Sequence, residues 1–318
     1  MRGIIILVLI LSQQLSTAQK IDNLAAFRDI NSESYFRINY DNDIFFATDK
    51  NYTQGISFEL MLPSIRMNPL NYLFYKPELS IIRYGLIIEH NSFTPNRYNI
   101  QEIQFGDRPF ASTLTFKSFM IATDTLKASR ITSSLNLGII GPAAFGDEVQ
   151  TAIHEVTGSL IPMGWKNQIK NDVVFNYEIG YEKKLLKYRD LFSLQTNVNG
   201  ELGTLLTNVS VGLSTALGII NAPFSSTTAR NSFALYIYAQ PLVNIIGYDA
   251  TLQGGLFNRN NPYTISSEKI ERFTGQLSFG IVLKFKSFYI EYSSTILTKN
   301  ISTGTASKWA GINLGVLF

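Results

Sequence analysis

The end of the chain alternates. In "KWAGINLGVLF", Ala310, Ile312, Leu314, Val316 and Phe318 share one face of an extended segment, and Gly311, Asn313 and Gly315 share the other. "GQLSFGIVLKFK" repeats the pattern, with Leu277, Phe279, Ile281, Leu283 and Phe285 opposite Gln276, Ser278, Gly280, Lys284 and Lys286. Between them, "FYIEYSSTIL" sets Ile290, Tyr292 and Ile296 against Glu291, Ser293 and Thr295. A period of two, with one apolar and one polar face, marks strands whose two sides meet different surroundings.

Followed back along the chain, the pattern predicts strands near 34–46, 53–64, 80–92, 110–123, 129–140, 170–184, 191–203, 206–219, 231–247, 273–286, 287–299 and 306–318. A soluble sandwich also alternates, so periodicity alone does not choose between sandwich and membrane barrel. An even strand number, strands of about ten residues or more and an alternating last strand ending on Phe318 favour an antiparallel transmembrane β-barrel. With both termini on the inner side, 93–109, 141–169 and 248–272 become outer loops. Two inner links, 65–79 and 220–230, are long for this architecture.

Composition supports the barrel. Of 318 residues, 13% are aromatic and only 16% are charged, against about 25% charged in ordinary soluble domains. Residues 1–18, with Arg2, the apolar run "GIIILVLIL" and small Ser16 and Ala18, read as an export signal, leaving 19–318 as one barrel domain. Beyond them no run reaches the ~18 apolar residues of a membrane helix. The chain has no cysteine, which excludes disulfides and thiolate chemistry, and its net charge of +3 forms no basic block for nucleic acid.

Some polar residues do not fit a plain wall. In "SYFRINYDNDIFF", parity puts Arg37, Asn39, Asp41 and Asp43 toward the lumen, where Asp41 can pair with Arg37 or Arg83. Parity turns Asn42 toward lipid, which is costly for an amide unless it lies at a rim or in a site. The loop "GPAAFGDEVQTAIHEVTGSLIPMGWKNQ" predicts a short helix: Asp147 and Glu148 in its first turn, an apolar stripe of Val149, Ile153 and Val156, and Gly158 as its stop. Gln150 and His154 then stack at i, i+4. The other histidine, His90, reads as an incidental strand-top residue, and Trp165 and Trp309 read as interface anchors.

Four motifs in order, "NDIFFATDKNYTQG", "FTP", "DRPFA" and "GPAAFGDEVQTAIHEVTG…PMGWKNQ", resemble the outer-membrane lipid A 3′-O-deacylase family over residues 35–185. The resemblance implies a twelve-stranded barrel that uses calcium to hydrolyse the ester-linked 3′ acyloxyacyl chain of lipid A in the outer leaflet. The family's Asn-Asp pair falls on Asn42 and Asp43, expected to act in catalysis and to hold the calcium ion, and its histidine falls on His154, the expected general base. Gln150 is expected to orient His154 or the substrate, and Thr53 of "NYTQG" is grouped with the substrate contacts. Arg108 either pins its loop to the barrel or meets a lipid A phosphate. The family's lysine has no counterpart, since 57–100 holds only Lys76, and Arg97 beside "FTP" is the candidate substitute.

An imidazole titrating near 6.5 can take a proton from water at neutral pH, and calcium, with oxygen ligands, can polarise an ester carbonyl. The expected partners are lipid A or lipopolysaccharide and the outer membrane, with no nucleic acid and with the chain acting as a monomer. Two other functions remain compatible: a non-catalytic barrel serving as pore or scaffold, and a calcium-dependent outer-membrane phospholipase using His90 with Ser92.

Overall fold

The computed structural model describes residues 30, 32–46, 51–220, 224 and 232–318; the export signal over 1–18 lies outside them. The described strands are β1 (Tyr35–Asn42), β2 (Asn51–Met61), β3 (Ile81–Thr94), β4 (Ala111–Asp124), β5 (Ser129–Ile140), β6 (Asp172–Tyr188), β7 (Phe192–Gly203), β8 (Leu206–Ile219), β9 (Phe233–Asp249), β10 (Phe273–Phe285), β11 (Phe288–Leu297) and β12 (Ser307–Leu317). Each pairs antiparallel with its sequence neighbours, and β1 pairs with β12, so the sheet closes. Closure removes the unpaired strand edges that hydrocarbon cannot satisfy. Two helices, α1 (Gly146–Thr157) and α2 (Ala250–Gln253), lie in loops at one end. No helix among the described residues is long and apolar enough to cross a membrane.

The alternation sorts as expected in the last three strands, where Phe279, Ile281, Ile290, Tyr292, Ile312 and Leu314 point outward and are exposed. The inward faces are polar and packed. Arg37 pairs with Glu59 at 2.5 Å, and Glu59 also accepts from the Tyr35 hydroxyl. Glu291 accepts from Tyr238 at 2.6 Å and Tyr289 at 2.8 Å. Around these groups Tyr35, Met61, Ile87, Phe119, Tyr236 and Val282 form one buried cluster that fills the lumen away from the helical loops. Near the loop end there is a cavity of about 80 Å³ lined by Glu89, Thr113, Lys117, Glu178 and Asp249, among others.

Three expectations need correction. The first strand stops at Asn42, and Asp43–Phe46 turn into a short 3-10 helix, so strand parity does not place Asp43. Asp41 does face inward, but it accepts from Asn39 at 2.9 Å, while Arg37 is held by Glu59 and Arg83 donates to the Ser32 carbonyl. Trp165 and Trp309 are not interface anchors: both are buried, Trp309 against Tyr52 and Trp165 against Phe110.

The long inner link between β2 and β3 has a structure of its own. It does not hang below the barrel but climbs its outside. Two short 3-10 helices, Pro63–Met67 and Pro69–Leu73, carry it. Asn68 donates to Ser118 on β4 at 3.2 Å, Tyr177 on β6 donates to the Leu73 carbonyl at 3.1 Å, and Phe74 packs with Met120, Ala122 and Leu135. The link therefore replaces lipid over the lower outer face of β3–β6.

Candidate active site on the outer wall

Where β2 meets β3, the register slips between Tyr52 and Gln54, a bulge at Thr53. Tyr52 points inward, stacking on Phe93 and Trp309. The extra residue lets both Thr53 and Gln54 turn outward. Thr53 then meets Thr94 of β3, their hydroxyl oxygens 2.6 Å apart and both side chains buried.

The next outward row crosses four strands. Asn42 lies opposite Gln54, Gln54 opposite Ser92, and Ser92 opposite Ser112. All four are polar and buried on the face that elsewhere meets lipid. One row further along come Tyr40, Ile56, His90 and Leu114, and after them Ile38, Phe58, Ile88 and Phe116, which are apolar and exposed. The wall changes from covered and polar to bare and apolar within two rows.

The cover is α1. Its first residue, Gly146, lies so close to the wall that an added Cβ would sit 2.5 Å from Ser112 Cβ and 2.6 Å from the Trp165 ring. Its end is set by Gly158, whose left-handed φ of 70° stops the helix where the sequence places the stop. The buried face is not the apolar stripe. Gly146, Gln150 and His154, spaced at i, i+4, i+8, face the barrel, whereas Val156 is 88% exposed. A water-facing helix would bury Val149, Ile153 and Val156. A helix beside a bilayer can present them to acyl chains and turn its polar side inward.

His154 is buried, and its Nδ1 lies 2.6 Å from the Leu160 carbonyl oxygen, with the Tyr98 ring edge-on at 5.4 Å. A carbonyl only accepts, so Nδ1 carries a proton. Gln150, fully buried, accepts from Trp165 Nε1 at 2.7 Å. Asn42 donates to Tyr40 Oη at 2.9 Å and accepts from the Ile44 amide at 2.7 Å, which starts the turn that carries Asp43. Asp43 is buried beside it. Two adjacent oxygen-bearing side chains, one anionic, match in kind the donors that calcium takes. Among the described residues no group of three or more His, Cys, Asp or Glu could hold a metal ion.

The arginines separate. Arg108 is buried at the loop end of the lumen, donating to Thr251 at 3.0 Å with its guanidinium 4.4 Å over Phe93. Burial pulls its pKa down to about 10, opposed by the charges of Asp249 and Asp107. It pins the loop from inside and stands apart from the outer row. Arg97 is exposed in the loop after β3, where its backbone bonds with Gln104. Sequence reasoning missed Gln54 and Ser112 and took Ser92 only as a phospholipase serine beside His90; the register and the bulge reveal that all three extend the row of Asn42. It also left His90 as incidental, but His90 Nε2 lies 3.1 Å from Ser112 Oγ, on the neighbouring strand rather than at Ser92.

A family described as "Outer membrane protein LpxR" matches residues 4–318. Among solved structures, LpxR from Salmonella typhimurium is similar, with a TM-score of 0.73, 18% identity, and 90% of this chain and 100% of that chain covered. The beta domain of the Bordetella autotransporter BrkA is similar with a TM-score of 0.50 and 8% identity, covering 90% of this chain and 100% of that one. At these identities the likeness is one of fold. No curated protein matches.

Proposed function

Because the chain belongs to the LpxR family of outer-membrane proteins, we propose that it is an esterase that removes the 3′ acyloxyacyl chain of lipid A in the outer leaflet, with His154 as general base. Family membership supports an outer-membrane lipid A deacylase in general terms. The observation that carries the specific reading is His154 itself: a histidine buried beneath a loop helix that packs on the outer wall, with its Nδ1 held by the Leu160 carbonyl.

In this reading Nε2 takes a proton from water as the water oxygen bonds to the ester carbonyl carbon. The tetrahedral adduct collapses with cleavage of the bond to the sugar oxygen, and the imidazolium returns its proton to that oxygen. A carboxylate and a sugar hydroxyl result. Calcium held by Asn42 and Asp43 would supply positive charge for the developing oxyanion. Gln150 braces the helix through Trp165 and so orients His154. Thr53 lines the same wall through the bulge, and the exposed Arg97 can meet a phosphate, since a guanidinium fork suits one.

The rivals fare less well. A pore conflicts with the packed lumen around Phe119 and Met61. A serine nucleophile activated by His90 would be Ser112, which is fully buried beneath Gly146.

The test is mass spectrometry of lipid A from cells with and without the protein, with and without calcium chelation. Loss of the 3′ chain only when protein and calcium are both present supports the reading. An unchanged lipid A accompanied by cleaved phospholipid overturns it.

A further inference from the structure

The cavity at the loop end of the lumen lies on the other side of the wall from His154, and its charges do not balance. Three carboxylates enter it from separate strands, Glu89 on β3, Glu178 on β6 and Glu201 on β7, and a fourth comes from Asp249 at the end of β9. Glu178 and Glu201 are direct cross-strand partners, where like charges repel. Among the described residues, Lys117 stands 3.9 Å from Glu178, and Arg108 is joined to Asp249 through the Thr251 hydroxyl. Four negative charges thus meet two positive ones, an excess of two. Glu89 has no ion pair or hydrogen bond at its carboxylate among the described residues. A second observation is independent of the charges. The Asn136 side chain, 7% exposed, lines the same cavity, and its amide oxygen makes no hydrogen bond among the described residues. Carboxylates and amide oxygens only accept, so the groups left over call for a cationic donor.

We infer that this cavity binds a short linear diammonium ion, an aliphatic chain with a primary amine at each end. Two positive charges match the excess. A single metal ion does not, because among the described residues no three of these carboxylates gather closely enough to hold one. The charges are spread along the cavity, and a dication with separated ends follows that spread. At about 80 Å³ the cavity has room for about five to eight water-sized groups, which suits 1,4-diaminobutane. One ammonium donates to the Glu178–Glu201 pair and to Asn136 Oδ1, and the other donates to Glu89. The methylene chain between them packs on Phe93, Leu205 and Leu206, the apolar part of the lining. The site goes beyond the deacylase reading and does not depend on it.

The test is calorimetric titration of the full-length purified protein in detergent with 1,4-diaminobutane, at about 0.15 M sodium chloride so that loose surface attraction is screened. One diamine should bind per chain, and its binding should raise the urea midpoint of heat-modifiable migration. Butylamine has the same stem and one ammonium, and should bind about tenfold or more weakly. Glu89→Gln should bring the diamine down to the butylamine level and leave butylamine almost unchanged. Asn136→Leu should weaken both. Heat-modifiable migration checks that each variant retains the barrel. No binding of the diamine, equal binding of the two amines, or diamine binding unchanged in both variants overturns the inference. None of these measurements reads lipid A cleavage, so the deacylase reading is tested separately.

Discussion

Gln150 accepts the Trp165 indole N–H at 2.7 Å, joining the helix that carries His154 to the segment that closes its loop. Both side chains are buried, and Phe110 at the head of β4 stacks on the indole at 5.0 Å. The histidine is thus fixed to the wall at one remove, through this bond.

Gln150→Leu keeps the bulk and removes the acceptor. We expect the indole N–H, left unmet in a buried place, to cost about 1–3 kcal/mol and to loosen α1. Lipid A deacylation should fall mainly through kcat, with faster proteolysis within 141–169. Gln150→Glu, which keeps an acceptor, should recover part of the rate.

The Thr53–Thr94 hydroxyl pair fixes the bulge that turns Gln54 outward. Thr53→Val should lower activity about tenfold by unpinning the bulge, while Thr53→Ser should stay close to the parent. Equal loss in both would show that the methyl group, not the hydroxyl, matters.

Inside the barrel, Glu59→Gln strips Arg37 of its buried counter-charge. Breaking one side of such a pair costs about 3–5 kcal/mol, read as a lowered urea midpoint for heat-modifiable migration. The double variant Arg37→Met with Glu59→Leu should recover most of the loss, because neither charge then remains buried.

Arg108 gives a pH signature. Its pKa is lowered to about 10 by burial, so the folded state releases this proton more readily than the unfolded chain, where an arginine keeps it to 12.5. Below 10 both states are charged and the buried charge weighs against folding. As pH rises above 10 the folded state sheds that charge first and gains stability relative to the unfolded state. The protein minus its Arg108→Met variant should show this rise as a difference in unfolding midpoint.

Much of this was legible in the sequence because a period of two survives wherever one face meets lipid. All twelve predicted segments overlap an observed strand, and the α1 stop at Gly158 was readable from local chemistry. What failed depended on partners distant in sequence. The stripe of Val149, Ile153 and Val156 marked a helix but not which of its faces meets the wall, which Gly146, Gln150 and His154 do. The partner of Arg37 lies on another strand, and only the register selects Glu59 over Asp41. The bulge at Thr53 leaves no mark in composition, so Gln54 escaped notice, and Ser92 was not joined to the row of Asn42.

The link over β3–β6 gives the barrel a keel. Met67, Tyr72, Leu73, Tyr75 and Leu79 stand exposed along it, whereas Leu235, Ile237, Phe279 and Ile281 leave the side around β9 and β10 bare. A flat neighbour in a crowded membrane can lie flush only against that smooth side. The helix with His154 sits above the keel, on β3 and β4. A neighbour packed against the β9–β10 side would leave the wall beneath His154 facing lipid.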